Sequence, residues 1–199
     1  YIFLLAALVF SCEKPIYESQ SHNFIKFFGS GYESKGNDVI ELPDGGYVFT
    51  GYDKLKVTDY QIFAATVDKN GNLVCSKTFG LDGIREEGKI VKEVSDGLLI
   101  AGTSLGSSGI THSFIMKTKE NGDSLWYKEF GDPNISIVVN DIALNESSIF
   151  VAGQAVYVGN TKTDYYAAKL DLSGDKEWEV VTFFRNTNSS FNKVFIHEE

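Results

Sequence analysis

Histidines, which carry protons at neutral pH in many enzymes, are few in this sequence. His22, His112 and His197 are the complete set, and none of them has neighbours that suggest a Ser-His-Asp array. The segment from Asp68 to Asn72 offers oxygen ligands of the kind that bind calcium. It lacks the glutamate of an EF-hand, and the corresponding segments later in the chain do not keep it. The sequence therefore predicts no catalytic residue, no metal site and no cofactor, and it favours a turn at 68–72.

Five aromatic or charged residues are better candidates for binding a partner. They are Tyr32, Tyr52, Arg85, Glu86 and Tyr157, and all of them fall in segments predicted to be loops. These segments differ from one another, whereas the apolar segments between them recur. Loops that vary on a constant scaffold commonly carry binding functions. We therefore expect these residues on one loop face that binds a protein or a glycan.

The N-terminal segment has features of a secreted lipoprotein. Residues 1–10 form an unbroken apolar run, which as a helix would rise only about 15 Å, half of a bilayer core. Ser11-Cys12 follows, and this stretch resembles a bacterial lipobox, although Phe10 is bulkier than the residue usual there. The resemblance implies a signal peptide at 1–12, a lipid on Cys12 and a polar tether at 13–23. An ordinary signal peptide with a chance cysteine is the alternative.

The start of the sequence also predicts that the natural N-terminus lies further upstream, because no Met and no basic segment precede the apolar run. Once Cys12 is acylated, Cys75 is the only remaining thiol and cannot form an internal disulfide. Cys75 is interpreted as a small packing residue.

Composition narrows the classes of partner. The net charge is −9 at pH 7, and acidic residues are spread along the chain. Binding to nucleic acid requires clustered Lys and Arg, so nucleic acid is excluded as the expected partner. Hydrophobic residues make up 43% of the 199-residue chain, which is enough for a packed core.

A pattern with a period of 51 residues runs through the chain. The same interval separates three Phe-Gly pairs and three further glycines: Phe28-Gly29, Phe79-Gly80, Phe130-Gly131, Gly51, Gly102 and Gly153. A fixed period indicates one small structural unit used repeatedly. The three single glycines each end a predicted strand, and we interpret them as points where neighbouring units crowd near a central axis.

Each period contains four apolar stretches that predict strands. They are 39–42, 47–51, 60–67 and 72–79, then 89–94, 98–102, 113–118 and 125–130, then 138–144, 149–153, 165–170 and 177–183. Asn70-Gly71 predicts a type I′ turn between the last two strands of the first period. Four antiparallel strands in about 50 residues are the signature of a β-propeller blade. The fold class predicted is all-β, a β-propeller with four-stranded antiparallel blades of about 51 residues.

The predicted propeller spans 24–199 and is incomplete. Its repeats are 30–80, 81–131 and 132–184, and 185–199 begins a fourth. A lone fourth strand at 24–28 and a lone first strand at 192–196 flank about three blades. Because closed propellers often complete one blade from both chain ends, this arrangement predicts a longer natural protein.

The repeats also carry a family resemblance. The Trp126 and Trp178 positions, each four residues after a turn glycine, resemble the repeats of quinoprotein-type propellers. The turn Asp44-Gly45-Gly46-Tyr47 and the Phe-Gly ends resemble repeat lipoproteins of uncharacterised function. The resemblance implies a lipid-anchored propeller of the bacterial cell envelope, attached to the membrane through Cys12. Its expected role is a binding or scaffold module for protein or glycan, with a quinoprotein-like or carbohydrate-active enzyme as the alternative.

Overall fold

The computed structural model describes residues 26–29, 32–131, 133–182 and 187–197. The predicted signal peptide, Cys12 and the tether lie outside these residues, as do 24–25. The described residues form strands and no helix. The strands are β1 Glu33–Glu41, β2 Tyr47–Lys56, β3 Asp59–Val67, β4 Leu73–Phe79, β5 Arg85–Val94, β6 Gly97–Leu105, β7 Thr111–Thr118, β8 Ser124–Phe130, β9 Ile135–Leu144, β10 Ser148–Tyr157, β11 Asp164–Asp171 and β12 Lys176–Thr182.

These strands form three consecutive units of four antiparallel strands. Unit 1 contains β1–β4, unit 2 contains β5–β8 and unit 3 contains β9–β12, and within each unit every strand pairs with the next. A single parallel bridge between Tyr60 and Arg85 joins β3 to β5 and so connects units 1 and 2. The all-β, antiparallel prediction is confirmed. The described sheets do not close on themselves.

The core lies between the units rather than within one sheet. On β6, Leu98 and Ile100 pack into a cluster with residues of unit 1, whereas Leu99 and Ala101 pack into a cluster with residues of unit 3. Successive side chains of a strand point to opposite faces, so both faces of unit 2 are covered. This explains why β6 is apolar along most of its length instead of alternating with polar residues.

Each second strand contains one glycine that faces a bulge in the first strand of the same unit. The register shifts opposite Gly51, Gly102 and Gly153. A Cβ on Gly102 would clash with the carbonyl oxygen of Glu87, and a Cβ on Gly51 or Gly153 would clash with the carbonyl oxygen of Lys35 or Val138. The predicted cause, crowding between units near an axis, is therefore wrong. The close approach is between two strands of one hairpin, at a bulge that bends the first strand.

The hairpins between third and fourth strands differ from the predicted type I′ turn. The N–H of Gly71 donates to the carbonyl of Asp68, and the N–H of Asp68 donates to the carbonyl of Asn72. This encloses a three-residue loop, the form in which a turn is followed by a left-handed glycine, and Gly71 has φ 72°. The Asp68 carboxylate stabilises the loop by accepting the N–H groups of Asn70 and Asn72.

Two of the predicted strand boundaries need correction. The first strands begin earlier and the second strands end later than predicted, as at Glu33 and Lys56. In unit 1 these extensions are mostly polar, so they lack the apolar alternation that reveals a strand, yet their backbones continue the same ladder. The strand predicted at 192–196 is not formed, since 187–197 has no ladder partner among the described residues. The N–H of Phe191 nevertheless donates to the carbonyl of Gly153 over 3.0 Å.

Candidate binding face

The junction between units 1 and 2 brings two of the predicted binding residues, Tyr52 and Arg85, together. β1 and β5 begin at this junction, β2 ends there, and β3 begins beside it. The parallel bridge places Arg85 of β5 next to Tyr60 of β3. The antiparallel ladders place Glu33 opposite Lys54 and Lys54 opposite Tyr60. Five side chains from four strands therefore meet, and we call them the Tyr60 cluster: Glu33, Tyr52, Lys54, Tyr60 and Arg85.

The ring of Tyr60 is the centre of this cluster. The guanidinium carbon of Arg85 lies 4.4 Å from the ring centroid, and Lys54 Nζ lies 4.9 Å from it. The Tyr52 ring approaches edge-on, with the centroids 5.2 Å apart. Cations within about 6 Å of an aromatic centroid are attracted by the negative face of the ring. The Tyr60 ring thus holds the cationic groups of Arg85 and Lys54 where units 1 and 2 meet.

Hydrogen bonds fix the charges of the cluster. The Tyr52 hydroxyl donates to Glu33 Oε1 over 2.6 Å, and Lys54 Nζ donates to Glu33 Oε2 over 3.3 Å. The bond from Tyr52, followed by that from Lys54, holds the pKa of Glu33 below its usual value. The same Tyr52 bond, together with burial, raises the pKa of Tyr52. Bonds to Tyr60 and Glu33 raise the pKa of Lys54, so at neutral pH Glu33 and Lys54 are both ionised.

Arg85 is the part of the cluster best suited to contact a partner. Its side chain is exposed, and it is the only arginine among the described residues. Lys35, Lys54 and Lys56 form salt bridges nearby, but Arg85 forms none with any carboxylate in the described part of the chain. A guanidinium stacked on an aromatic ring keeps its N–H donors for a planar acceptor such as a carboxylate. The arrangement can therefore bind an acidic group of a protein or a glycan.

As far as the structure describes it, the corresponding junction between units 2 and 3 carries no such cluster. By ladder register, Thr103 and Leu105 occupy the positions of Tyr52 and Lys54, and Ser136 occupies that of Arg85. There the backbone N–H of Thr111 donates to the Ser136 hydroxyl over 3.1 Å. The strand arrangement repeats from one junction to the next, but the side chains at these ladder positions do not. The Tyr60 cluster is therefore a specialised feature of one junction.

Glu86 follows Arg85 in β5 and faces the opposite way. It is buried, with 3% of its surface exposed. Its carboxylate accepts the N–H of Leu81 over 2.7 Å and the Tyr127 hydroxyl over 3.2 Å. Burial raises the pKa of Glu86, although these two hydrogen bonds lower it. The structure thus places this predicted binding residue in the interior, where it holds the connection between β4 and β5.

A polar group in unit 2, formed by Ser104, His112 and Glu129, differs in geometry from a catalytic triad. The Ser104 hydroxyl donates to Glu129, and His112 Nδ1 lies 3.5 Å from the other Glu129 oxygen. The buried His112 Nε2 has no hydrogen-bond partner among the residues that the structure describes. Because the serine hydroxyl contacts the carboxylate and not the imidazole, the histidine cannot act as its general base in this geometry. Burial and the charges of Glu86 and Glu129 raise the pKa of Tyr127.

The remaining predicted binding residues occupy separate places. Tyr32 immediately precedes β1, is 74% exposed and lines a shallow pocket of about 290 Å³ together with Phe27 and Glu33. Tyr157 ends β10 in unit 3, opposite Ile135. The prediction that Tyr52, Arg85, Glu86 and Tyr157 lie in loops is wrong, because all four are in strands. Only Tyr32 lies outside a strand.

Tyr60 was not predicted as a site residue. A signal was present, because an aromatic residue begins the third strand in the first repeat, whereas threonine occupies the corresponding place in the second. The contact with Arg85 could not be foreseen, since it depends on how two sheets meet. Of the sites named from sequence, Cys12 lies outside the described residues.

No family model and no curated protein sequence matches this chain. The assignment of a function therefore depends on the residues themselves. Within the described ranges, no group of three or more His, Cys, Asp or Glu side chains is arranged to hold a metal ion. None of the described segments is a helix of the length and hydropathy needed to span a membrane.

Proposed function

We propose that this protein is a lipid-anchored β-propeller of the bacterial cell envelope that binds a protein or a glycan through the Tyr60 cluster. The lipid on Cys12 would attach it to the membrane, the outer membrane being the expected location. In this role the units are a scaffold and the junction between units 1 and 2 is the contact surface. The role is that of a binding module and requires no catalytic step.

The packing of the units supports the propeller part of this proposal. β5 packs against β1, β2 and β3, and β9 packs in the same way against β5, β6 and β7. The three sheets therefore pack in chain order, and the first strand of each later sheet lies against the preceding sheet. Repetition of such a step is the way in which propeller blades are arranged around an axis.

One observation carries the binding part. An exposed arginine over an aromatic ring, with no ionic partner among the described residues, occurs at a junction whose repeat counterpart has Thr103, Leu105 and Ser136 in place of Tyr52, Lys54 and Arg85. Aromatic residues and arginine contribute most to many protein interfaces, and exposed aromatic rings also suit sugars. Exposed Tyr32 beside Glu33 extends the same surface. The ligand expected is a partner that presents an acidic group to Arg85.

A binding assay with four forms of the chain tests this proposal. The probes are immobilised neutral glucan, polygalacturonate and an acidic protein. We expect the wild-type chain to bind at least one of these probes, and Arg85→Gln and Tyr32→Ala to lose about tenfold or more in affinity, because each removes one contact worth over a kilocalorie. Lys92→Gln, which alters the same strand away from the junction, is the control and should bind normally. Equal binding by wild type and Arg85→Gln to every probe would refute the proposal.

The lipid anchor has its own test. Labelled palmitate should enter the wild-type protein in a bacterial host and should not enter Cys12→Ala. Cys75→Ala is the matched control, since it removes the other cysteine of the chain and should leave labelling unchanged. Labelling of Cys12→Ala at the wild-type level would exclude the anchor.

A further inference from the structure

The outer strand of unit 3 has an exposed apolar surface whose counterparts in units 1 and 2 are covered. Trp178 and Val180 of β12 are each 45% exposed. We call these two residues the β12 surface. By ladder register, Trp178 corresponds to Cys75 in β4 and to Trp126 in β8. Val180 corresponds to Lys77 and Lys128, which lie two residues further along those strands.

In units 1 and 2, this position is covered by the hairpin between the third and fourth strands of the following unit. On β4, the Cys75 thiol lies 3.5 Å from the carbonyl oxygen of Asn121, and Lys77 Nζ lies 2.5 Å from an Asp123 oxygen. A Cβ on Gly122 would lie 3.0 Å from Lys77 Cδ. The hairpin of unit 2 therefore lies directly on the outer strand of unit 1.

The next junction repeats the arrangement. Lys128 Nζ lies 2.7 Å from an Asp175 oxygen, and a Cβ on Gly174 would lie 2.8 Å from Trp126 Cζ3. Both turn glycines have φ 80°, so they combine a left-handed backbone with the small size that the contact requires. A turn glycine packed against the lysine and an acid bonded to that lysine are thus the two recurring features of this contact, and at the second junction the glycine also covers Trp126.

Residues 187–197 bind unit 3 in the same way as the first strand of a following unit. The N–H of Val194 donates to Asp141 Oδ2 over 3.1 Å, as the N–H of Val91 donates to Asp38 Oδ2 over 2.9 Å. The amide of Asn140 donates to the carbonyl of Phe191 over 2.9 Å.

The equivalent bond between units 1 and 2 runs from the Asn37 amide to the carbonyl of Gly88 over 2.7 Å. Two independent hydrogen bonds therefore put Phe191 and Val194 in the places of Gly88 and Val91. Residues 187–197 lie where β5 lies on unit 1.

We infer that the β12 surface is the docking site for the hairpin of another unit of this repeat, one whose first strand is 187–197. That hairpin places a left-handed glycine over Trp178. The residue after the glycine is uncharged, because Val180 offers no cation to the acid found in the other hairpins. This inference rests on the proposed stacking of units and is independent of the proposed ligand.

A graft supplies the missing hairpin from the chain itself. Residues 95–131, which carry β6–β8, are joined after residue 197, since 197 corresponds to Val94 by the register above. Trp126 is replaced by Phe in both copies so that Trp178 is the only fluorophore of its kind. We expect Trp178 emission to move to shorter wavelength and its quenching by acrylamide to fall, relative to the ungrafted chain with Trp126→Phe.

The matched control is the same graft with Gly122→Val in the added copy. A side chain there meets Trp178 and disfavours the left-handed backbone, so Trp178 should remain as strongly quenched as in the ungrafted chain. A second graft, residues 146–182 from unit 3 with Trp178→Phe in the added copy only, guards against a failure particular to β6–β8. In both grafts, Val180→Lys should allow an ion pair with Asp123 or Asp175 of the added segment. The substitution should therefore raise the unfolding midpoint of the grafted chain and not that of the ungrafted chain.

Two results would overturn the inference. The first is unchanged quenching of Trp178 in both grafts while their added strands resist proteolysis. The second is failure of both added segments to fold, because each folds on an equivalent surface in its own unit. Either result leaves the binding assay on Arg85 unaffected, and a failed binding assay leaves the Trp178 measurement unaffected.

Discussion

Lys128 Nζ lies 2.7 Å from Asp175 Oδ1, and this ion pair joins the outer strand of unit 2 to a hairpin of unit 3. Lys77 and Asp123 make the same pair one unit earlier, and Lys26 donates to the Asn72 amide oxygen over 2.8 Å. The three lysines are 51 residues apart. The interval that is visible in the sequence is therefore the interval between equivalent contacts of successive units.

Loss of the Lys128 pair should change stability only slightly. Both side chains are partly exposed, and ion pairs of that kind contribute about 0–1 kcal/mol. We expect Lys128→Met to lower the free energy of unfolding by less than about 1 kcal/mol in urea titrations. Lys92→Met is the control for removal of a lysine, and Asp175→Asn completes a double-mutant cycle. A coupling energy above about 2 kcal/mol would mean that the pair behaves as a buried one.

Gly102 should tolerate a side chain poorly. A Cβ there would lie 2.0 Å from the Glu87 carbonyl oxygen and 2.7 Å from Phe114 Cζ, and neither atom belongs to a flexible side-chain end. We expect Gly102→Ala to cost about 3 kcal/mol or more, measured by thermal or urea unfolding. Gly106→Ala is the control, since a Cβ at Gly106 meets no atom within 4 Å. Equal midpoints for the two variants would show that the hairpin can separate at the bulge without cost.

Asp38 should contribute more than an exposed carboxylate. It accepts the N–H of Val91, which is fully buried, over 2.9 Å across the junction between units 1 and 2. Asp38→Ala leaves that N–H without this acceptor, so we expect a loss of about 1–3 kcal/mol in the free energy of unfolding. Asp38→Asn keeps a carbonyl oxygen that can accept the Val91 N–H, so this variant should retain most of the free energy of unfolding that Asp38→Ala loses. Asp82→Ala, at an 83% exposed side chain, is the control, and a loss there as large as at Asp38 would contradict the explanation.

Glu86 should make the protein less stable as the pH rises. Burial raises its pKa in the folded state above the value in the unfolded chain, so the folded state binds this proton more tightly. The stability that protonated Glu86 contributes is fully present below its pKa in the unfolded chain, about 4.3. This contribution is lost as the pH rises through the higher pKa of Glu86 in the folded state. Glu86→Gln stays uncharged and keeps an oxygen for the Leu81 N–H.

The measurement is the free energy of unfolding of wild type and Glu86→Gln between about pH 4 and pH 7. The free energy of unfolding of Glu86→Gln should increase relative to that of wild type as the pH rises. At pH 7 the variant should be at least as stable as wild type. The lowered pKa values of Glu33, Asp68 and Asp123 act in the opposite direction, but they are common to both proteins and cancel in the difference. Glu120→Gln, on an exposed turn, is the control. A difference that is constant with pH would show that Glu86 titrates normally.

Much of the fold could be predicted because its signals are local. The turn at Asp68–Gly71 follows from a glycine that accepts left-handed backbone and from an aspartate that binds the next N–H groups. The four strands of each unit follow from short apolar stretches separated by such turns. The polar ends of β1 and β2 escaped prediction, because a ladder extends through its backbone regardless of whether the side chains alternate.

The candidate site was predictable only in part. Tyr52 and Arg85 were recognised as suitable residue types, but their common partner Tyr60 was not. Arg85 and Glu86 are adjacent in sequence, and nothing local distinguishes the exposed residue from the buried one. Their opposite roles arise because Arg85 meets Tyr60 of unit 1 at the edge of the junction, whereas Glu86 points inward to Tyr127 of unit 2.

The sequence by itself determined the repeating unit, its four strands and the position of its turns, because each depends on residues within a few places of one another. Only the tertiary structure decided what covers each sheet and which side chains meet at a junction. Tyr60 and Arg85 come together because β3 and β5 join two separate sheets, and the Phe191 and Val194 contacts arise in the same way on unit 3. Such contacts depend on the stacking of whole units, which no local pattern of residues encodes.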